Sequence, residues 1–153
     1  MADVVVRRAG ADDAAAVADV YLRSRAGAGT AIPPGVHPDD DVRRHVRDDV
    51  LPVHETWLAE VDGVPVGVLV LAGDDLDWLW VVPEAQGRGV GSTLLAHAQA
   101  RRPGGLALWV FESNTPAREF YERREWRAVR RTAGDNEEGA PDVRYVWGGH
   151  PEG

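Results

Sequence analysis

Three glycines within five positions mark the first place in the chain where the residue types predict chemistry. They are Gly87, Gly89 and Gly91, in the stretch VVPEAQGRGVGSTLL that covers residues 81–95. An apolar run precedes the glycines and a helix-like pattern follows them, so they lie at the predicted start of a helix. The first N–H groups of a helix have no partner within it and together carry about half a positive charge. Bare backbone at such a point favours a bulky anion, and phosphate is the natural ligand.

Two well-known phosphate-binding loops can be compared with this stretch. The Walker loop requires a lysine, and it is excluded because all 17 basic residues of the chain are arginine. The dinucleotide fingerprint G-x-G-x-x-G matches Gly87 and Gly89 but meets Ser92 at its third glycine, and four residues separate the strand from the loop. Glu112, after the next strand, fits the acid that would bind a ribose. A nucleotide-binding (NAD-type) oxidoreductase therefore remains an alternative, as does a glycine turn that binds nothing.

Two more side chains have types and positions that could do chemistry. Asp77 is the only charged residue in LDWLWVV (76–82), a strand whose alternating faces are otherwise apolar and should both be covered. Such an aspartate indicates either a carboxylate at the strand start that pairs with a nearby arginine or backbone N–H, or a functional carboxylate. Tyr121 shares one helical face with Ala117 and Phe120, and that spacing alone favours a core aromatic over a proton donor.

The elements that must position these residues follow from periodicity and turn signals. Strands are predicted at 3–8, 55–61, 64–72, 76–82, 106–111, 126–132 and 142–147, and helices at 11–25, 39–51, 92–102 and 115–124. Asp62 and Gly63 predict a hairpin between two of the strands. An antiparallel meander followed by alternating helices and strands indicates a mixed sheet packed by helices. The loops 27–40 and 133–141 carry no motif that can be interpreted.

Composition limits the function classes. The 153 residues predict one domain, 1–153, with 44% hydrophobic and 27% charged residues, as in soluble globular proteins. A net charge of −8 argues against nucleic acid as the main partner. The absence of cysteine excludes disulfides, thiolate metal sites and a cysteine nucleophile. No long apolar segment follows the first methionine, so we expect neither a signal peptide nor a membrane partner, and a cytoplasmic location.

The chain resembles the GNAT superfamily of N-acetyltransferases. Residues 86–91, QGRGVG, match its Q/R-x-x-G-x-G/A signature between a strand and a helix, and SNTPAREFYERREW (113–126) is similar to its second segment. The specific resemblance covers about 55–126, whereas the order of elements is similar over nearly the whole chain. One residue departs from the pattern: Glu125 stands where relatives often have glycine. The helix that precedes it must therefore end with another backbone geometry or accept strain.

The resemblance implies an α/β (α+β) fold: a mixed, mostly antiparallel central sheet of about six to seven strands, flanked by helices, with a splayed fourth/fifth strand pair. It also implies an enzyme that moves an acetyl group from acetyl-coenzyme A, without a metal, to a primary amine. We expect a small-molecule amine, and a homodimer is possible. The residues expected at the cofactor are Trp80, Val81, Val82, Gln86, Gly87, Arg88, Gly89, Val90, Gly91, Ser92 and Asn114.

The resemblance also implies the catalytic roles. Tyr121 is expected to protonate the leaving sulfur, and Asp77, directly or through water, to take the proton of the amine. A backbone N–H near Val81 or Val82 is expected to stabilise the oxyanion. His37 and His54 are further candidates for contact with the acceptor. A non-catalytic sensor of acyl-coenzyme A is the second alternative.

Overall fold

A seven-stranded sheet organises residues 3–153, which the computed structural model describes. Met1 and Ala2, part of the predicted 1–153 domain, lie outside this range. The strands are β1 (Val4–Arg8), β2 (Glu55–Val61), β3 (Val64–Ala72), β4 (Asp75–Val81), β5 (Leu106–Phe111), β6 (Arg127–Thr132) and β7 (Asp142–Trp147). Their order is β1-β2-β3-β4-β5-β7-β6, and only β4 and β5 pair in parallel. This confirms the predicted sheet, and it differs from the parallel sheet that the dinucleotide fingerprint requires. The oxidoreductase alternative therefore loses its structural support.

Four helices flank the described sheet: α1 (Ala14–Gly27), α2 (Asp39–His45), α3 (Val90–Arg101) and α4 (Thr115–Glu122). The predicted helix 39–51 is divided, since a π-helical turn (Val46–Val50) continues α2. Helices α1 and α3 pack on opposite faces of β3 and β4. Tyr21 of α1 stacks on Trp78, with ring centroids 4.3 Å apart, whereas α3 covers Gly67 on the other face. Both faces of these central strands are thus covered, as a continuous apolar run predicts.

Gly67 sets how closely α3 approaches the sheet. A Cβ atom at this position would lie 2.9 Å from Leu94 Cδ1 and 3.0 Å from Val90 Cγ1. Both side chains are fully buried, so neither can move away without disturbing the core. The glycine therefore allows the first turn of α3, and with it the glycine loop, to lie directly against β3.

Strands β4 and β5 pair at one end only, which confirms the predicted splay. Their register contains a single pair, Asp75 with Ala107, and beyond it the strands separate. Arg144 of β7 closes this end: it donates two hydrogen bonds to the Asp75 carboxylate, at 2.8 and 2.9 Å, and two to Glu152, at 2.7 and 3.2 Å. Arg144 is only 6% exposed, whereas the Asp75 side chain is 37% exposed; the bidentate geometry makes this ion pair directionally specific. The gap opens from that point toward the end of β4.

The turn after α4 accepts backbone strain. Glu125 has a φ of 67°, and the Trp126 N–H donates to the Tyr121 carbonyl at 3.1 Å. A left-handed conformation costs a residue with a Cβ roughly 1–2 kcal/mol, and glycine far less. Of the two outcomes expected for a chain without glycine here, the structure shows strain rather than a different geometry.

Glu125→Gly is therefore expected to raise the free energy of unfolding by about 0.5–1 kcal/mol, since relief of strain exceeds the extra flexibility of glycine in the unfolded chain. Thermal melting should show a rise of roughly 1–4 °C. Glu125→Ala is the matched control, because it removes the same carboxylate but keeps the Cβ. An equal effect of both substitutions would show that the backbone conformation is not the source of strain.

Candidate functional site

The glycine loop is open and leads directly into α3. Gly87 and Gly89 have φ values of 75° and 83°, and a Cβ at either position would meet no atom within 4 Å. Gly89 is the residue that precedes α3, and no side chain caps the helix there. The first N–H groups of α3 therefore face open space with no side-chain acceptor, which is the geometry that an anion requires.

A cavity of about 620 Å³ lies beside this loop, and we call it the glycine-loop cavity. Its lining includes the three loop glycines, the end of β4 and one side of α4. Among its lining residues none is a carboxylate, and Arg124 is the only one with a formal charge. A cavity with helix N–H groups and one cation, in a chain of net charge −8, is suited to an anionic ligand.

Most residues predicted at the cofactor line this cavity. They are Trp80, Val81, Gln86, Gly87, Gly89, Gly91, Ser92 and Asn114. Three do not line it: the side chains of Val82 and Val90 are buried in the core, and that of Arg88 is exposed outside the cavity. Val82 and Val90 are apolar and pack into the core, whereas the Arg88 side chain is exposed to solvent.

A second cavity, of about 610 Å³, has the opposite charge, and we call it the acidic cavity. Four carboxylates line it: Asp41, Asp77, Glu137 and Glu138. Arg25, His37 and His45 also line it. The cavity lies at the splayed strands and opens between α2 and the two loops whose sequences could not be interpreted.

Two contacts join those loops above the acidic cavity. Arg25 donates to Glu138 and to the Pro33 carbonyl, both at 3.1 Å, and His37 Nε2 lies 3.1 Å from a Glu137 oxygen. The side chains of Arg25 and Glu138 are 14% and 15% exposed, so this ion pair is partly shielded from water. Loops that are about 100 residues apart in sequence thus form one rim.

The two cavities share one wall. The residues common to both are Leu79, Trp80, Asn114, Ala117 and Tyr121. A ligand that extends from the glycine loop along β4 would therefore meet, at this wall, a ligand that enters through the acidic cavity. The splay of β4 and β5 creates the space in which they meet.

Tyr121 occupies this wall with its ring packed and its hydroxyl unpaired. The residue is 7% exposed, and its ring lies 5.2 Å from Phe120 and 5.3 Å from Trp126 between centroids. The hydroxyl makes no hydrogen bond to the described side chains or backbone. Burial raises the pKa of this phenol well above its ordinary value, while the charge of Arg124 acts weakly in the other direction. The hydroxyl therefore stays protonated and can donate to a ligand.

The register of β4 against β3 decides which backbone groups face the gap. The Val82 N–H donates to the Val66 carbonyl at 2.9 Å, and hydrogen-bonded pairs alternate along an antiparallel ladder. Trp80, opposite Val68, therefore also directs its N–H and carbonyl toward β3. Backbone contacts of Trp80 and Val82 with a cofactor, as the sequence predicts them, would require breaking this ladder.

The alternate residues of β4 point the other way. The backbone groups of Leu79 and Val81 face the gap toward β5, where no ladder partner exists beyond the Asp75 pair. The Val81 carbonyl accepts a hydrogen bond from the Gln86 side chain at 3.0 Å. The free N–H groups of this edge are thus those of Leu79 and Val81, and of the predicted oxyanion donors only Val81 remains.

Asp77 is an exception to the coverage of β4 on both faces, because it lies at a β-bulge that interrupts the regular alternation expected of the strand. Val70 pairs with Trp78, but Leu71 pairs with Leu76, so Asp77 is the extra residue and its side chain is solvent-accessible in the acidic cavity. Partial burial among the cavity walls nevertheless raises the pKa of its carboxyl. The charge of His54 lowers this pKa and that of Asp75 raises it. His54 itself does not line the cavity, in contrast to His37.

Two polar residues of the glycine-loop cavity have defined partners. Asn114 caps α4, since its Oδ1 accepts from the Ala117 N–H at 3.3 Å, and its side-chain amide nitrogen remains for a ligand. Ser92 Oγ accepts from Arg124 at 2.8 Å. Asn114 is thus a helix cap, and this role leaves its amide nitrogen available for contact with the cofactor.

Sequence reasoning missed two residues of the site, Leu79 and Arg124. Leu79 contributes only backbone, and its direction depends on the register, which no local pattern reveals. The sequence did contain a pattern that predicts a position for Arg124 beside the site. This residue follows Ala117 and Tyr121 at spacings of seven and three residues, so it continues the same helical face.

Within residues 3–153 no group of three histidine, cysteine or acidic side chains has a geometry that could hold a metal ion. In the same range no helix is both long and apolar enough to span a bilayer.

The family comparison agrees with the site. A family model described as "Acetyltransferase (GNAT) family" matches residues 27–126, which is most of the chain and includes both cavities' shared wall. The match begins at the end of α1 and ends after the strained turn that follows α4.

Curated relatives include two bacterial enzymes. The chain is 36% identical over 89 residues to the peptidyl-lysine N-acetyltransferase YjaB of Salmonella typhimurium, covering 58% of this chain and 61% of the relative. It is 36% identical over 85 residues to the peptidyl-lysine N-acetyltransferase YiaC of Escherichia coli, covering 55% and 58%. The matches thus span about 60% of the relatives' length.

Among solved structures, the apo form of YjaB from Escherichia coli superposes with a TM-score of 0.77 at 25% identity. The superposition covers 97% of this chain and 99% of that one. The similarity in fold therefore extends well beyond the segment that is similar in sequence.

Proposed function

The chain belongs to the acetyltransferase (GNAT) family, and we propose that it transfers an acetyl group from acetyl-coenzyme A to a primary amine. One observation carries the proposal: two cavities of opposite charge share a wall that holds Tyr121. The anionic donor fits the glycine-loop cavity, which has no carboxylate, and a cationic amine fits the acidic cavity.

The donor would lie along β4. Its pyrophosphate would accept hydrogen bonds from the open N–H groups at Gly87 to Gly91. The amides of its pantetheine arm would pair with the free backbone edge of Leu79 and Val81, as an added strand would, and with the Asn114 amide. The thioester would then reach the wall shared by the two cavities.

The acceptor would enter through the acidic cavity, and we propose the side chain of a peptidyl-lysine. Two relatives are named for that acceptor, and a lysine side chain is a primary amine on a flexible stem that suits a cavity open to solvent. The small-molecule amine expected from the sequence uses the same chemistry, and it is the competing acceptor to be tested.

In the reaction, the neutral amine nitrogen attacks the thioester carbonyl carbon, a C–N bond forms and the C–S bond breaks. Asp77, directly or through water, takes the proton that the amine loses, and its raised pKa brings it closer to the working pH of a base. The Val81 N–H, or that of Leu79, stabilises the oxyanion. Tyr121 donates its proton to the sulfur as coenzyme A leaves, and solvent restores it.

Release of free thiol from acetyl-coenzyme A tests the function and the acceptor together. The acceptors are a peptide with blocked ends and one lysine, the same peptide with arginine in its place, and a set of small primary amines. We expect release with the lysine peptide and none with the arginine peptide. Release only with small amines would reassign the acceptor. Binding of coenzyme A without release from either class would favour the non-catalytic sensor.

Gly89 offers an isosteric test of the phosphate site. Asparagine and aspartate both tolerate the left-handed conformation of this residue, and they differ by one charge. Gly89→Asp should bind acetyl-coenzyme A roughly tenfold more weakly than Gly89→Asn, because its carboxylate would face the pyrophosphate. Calorimetry at two salt concentrations measures this difference, which should shrink at high salt.

Loss of folding cannot explain that result, since an aspartate before a helix is at least as stabilising as an asparagine. Equal affinities of the two variants at low salt would place the pyrophosphate elsewhere.

Tyr121→Phe keeps the packed ring and removes only the hydroxyl. Because that hydroxyl has no partner among the described residues, stability should change little, whereas kcat should fall roughly 10²-fold or more and acetyl-coenzyme A affinity should be retained. Steady-state kinetics and thermal melting of the variant provide the measurement.

Tyr145→Phe is the matched control. Tyr145 is fully buried, and its hydroxyl donates to Glu122 and accepts from Arg118, outside both cavities. This control should lose about 1 kcal/mol of stability and keep its turnover. The reverse pattern, with Tyr121→Phe fully active, would remove Tyr121 from the mechanism.

Asp77→Asn should lower turnover and raise stability. A carboxyl whose pKa is raised in the folded state destabilises the fold as pH rises from its unfolded pKa through its folded pKa, because ionisation is less favourable in the folded protein. The variant should therefore melt like the parent at pH 3 and higher than the parent at pH 7. Its kcat/KM should fall most at low pH, where the amine most needs a base.

Asp13→Asn is the control of opposite sign. Hydrogen bonds from Arg7 and the Gly10 N–H lower the pKa of Asp13, so this variant should lose stability at pH 7 and match the parent at low pH. If Asp77→Asn behaved like Asp13→Asn, the carboxyl of Asp77 would be a structural partner and not a base.

A further inference from the structure

Arg124 bridges the two helices that border the glycine-loop cavity. It follows the end of α4, and its side chain turns back, with the guanidinium carbon 3.8 Å from the centroid of the Phe120 ring. One terminal nitrogen donates to the Phe120 carbonyl at 2.9 Å, and the other donates to Ser92 Oγ at 2.8 Å. Since Ser92 belongs to the first turn of α3, the guanidinium lies beside the open N–H groups of that helix.

The charge of Arg124 has no counterpart within the described residues. No carboxylate lies within ion-pairing distance of it, whereas most described arginines near the sheet, such as Arg7, Arg102 and Arg144, pair with one. An arginine has five N–H donors, and the two contacts of Arg124 leave three of them for a ligand. Arg124 is therefore a half-buried cation with free hydrogen-bond donors, and the cavity that it lines contains no carboxylate to neutralise its charge.

The geometry around Arg124 is also rigid. Stacking on the Phe120 ring and the two hydrogen bonds fix the plane of the guanidinium before any ligand arrives, so little side-chain entropy remains to be lost on binding. Arg88 lacks all of these features: it is exposed, it does not line the cavity and it has no described side-chain contact.

We infer that Arg124, and not Arg88, is the side chain that binds the pyrophosphate of coenzyme A. This inference rests on the proposed function, because it takes coenzyme A as the ligand of the glycine-loop cavity. In a chain without lysine, a preoriented guanidinium from the turn after α4 supplies the fixed positive charge, and the N–H groups of α3 supply the remaining hydrogen bonds. The same contact joins α4, which carries Tyr121, to the bound donor.

The test compares ligands that differ in their phosphates: coenzyme A, 3′-dephospho-coenzyme A and pantetheine. Arg124→Gln retains a polar side chain but loses the charge, and it should raise the Kd of the first two ligands by roughly tenfold or more, and equally. The Kd of pantetheine should not change. Arg124→Lys keeps the charge but not the stacked guanidinium, so it should restore only part of the affinity; Arg123→Gln, an exposed neighbour outside the cavity, is the matched control.

Turnover separates phosphate binding from a structural role. With acetyl-coenzyme A the Arg124→Gln variant should show a raised KM, whereas with S-acetylpantetheine it should match the parent. A structural defect would lower turnover with both donors. That outcome overturns the inference, as would a loss that disappears with 3′-dephospho-coenzyme A, or a greater loss in Arg88→Gln. Failure of the parent protein to bind coenzyme A would instead overturn the proposed function.

Discussion

The ion pair between Asp75 and Arg144 is the constraint on which the site depends. It joins β4 to β7 across β5 at the only point where β4 and β5 pair. With that end closed, the twist of the sheet carries the two strands apart, and the gap they leave is the wall shared by both cavities. Because the guanidinium is buried and bidentate, the closed end is fixed in distance and orientation. A looser closure would leave the width of the gap undefined.

The gap between β4 and β5 also separates two cavities whose linings differ in charge. On one side lie helix N–H groups and a single arginine, and on the other side lie four carboxylates with their rim contacts. Under the proposed function, two ligands of opposite charge would bind on opposite sides of Tyr121. The net charge of −8 describes only the average over the whole chain, whereas the linings of the two cavities differ locally in charge.

Helix α4 connects the wall shared by the two cavities to the glycine-loop cavity, and the turn that follows it is strained. The helix carries Asn114 at its start and Tyr121 near its end, and Arg124 follows in the turn. That turn forces Glu125 into a left-handed conformation, where glycine would be unstrained. Strain of this kind persists because the surrounding packing, here the buried rings of Tyr121 and Trp126, determines the turn.

The sequence by itself determined the secondary-structure elements, the class of sheet and the glycine loop, because periodicity and turn chemistry are local properties. Strands β2, β3, β5 and β7, for example, have the predicted bounds. The family resemblance named Tyr121 and Asp77 as catalytic residues, and the structure brings both to the lining of the acidic cavity. Only the tertiary structure decided which backbone groups of β4 are free, since that depends on register with β3. The bulge that exposes Asp77, the loops that meet at the acidic cavity, and the bridge from Arg124 to Ser92 all join residues distant in sequence. No local pattern encodes such contacts, because they form only when the core and the closed end of the splay bring the elements together.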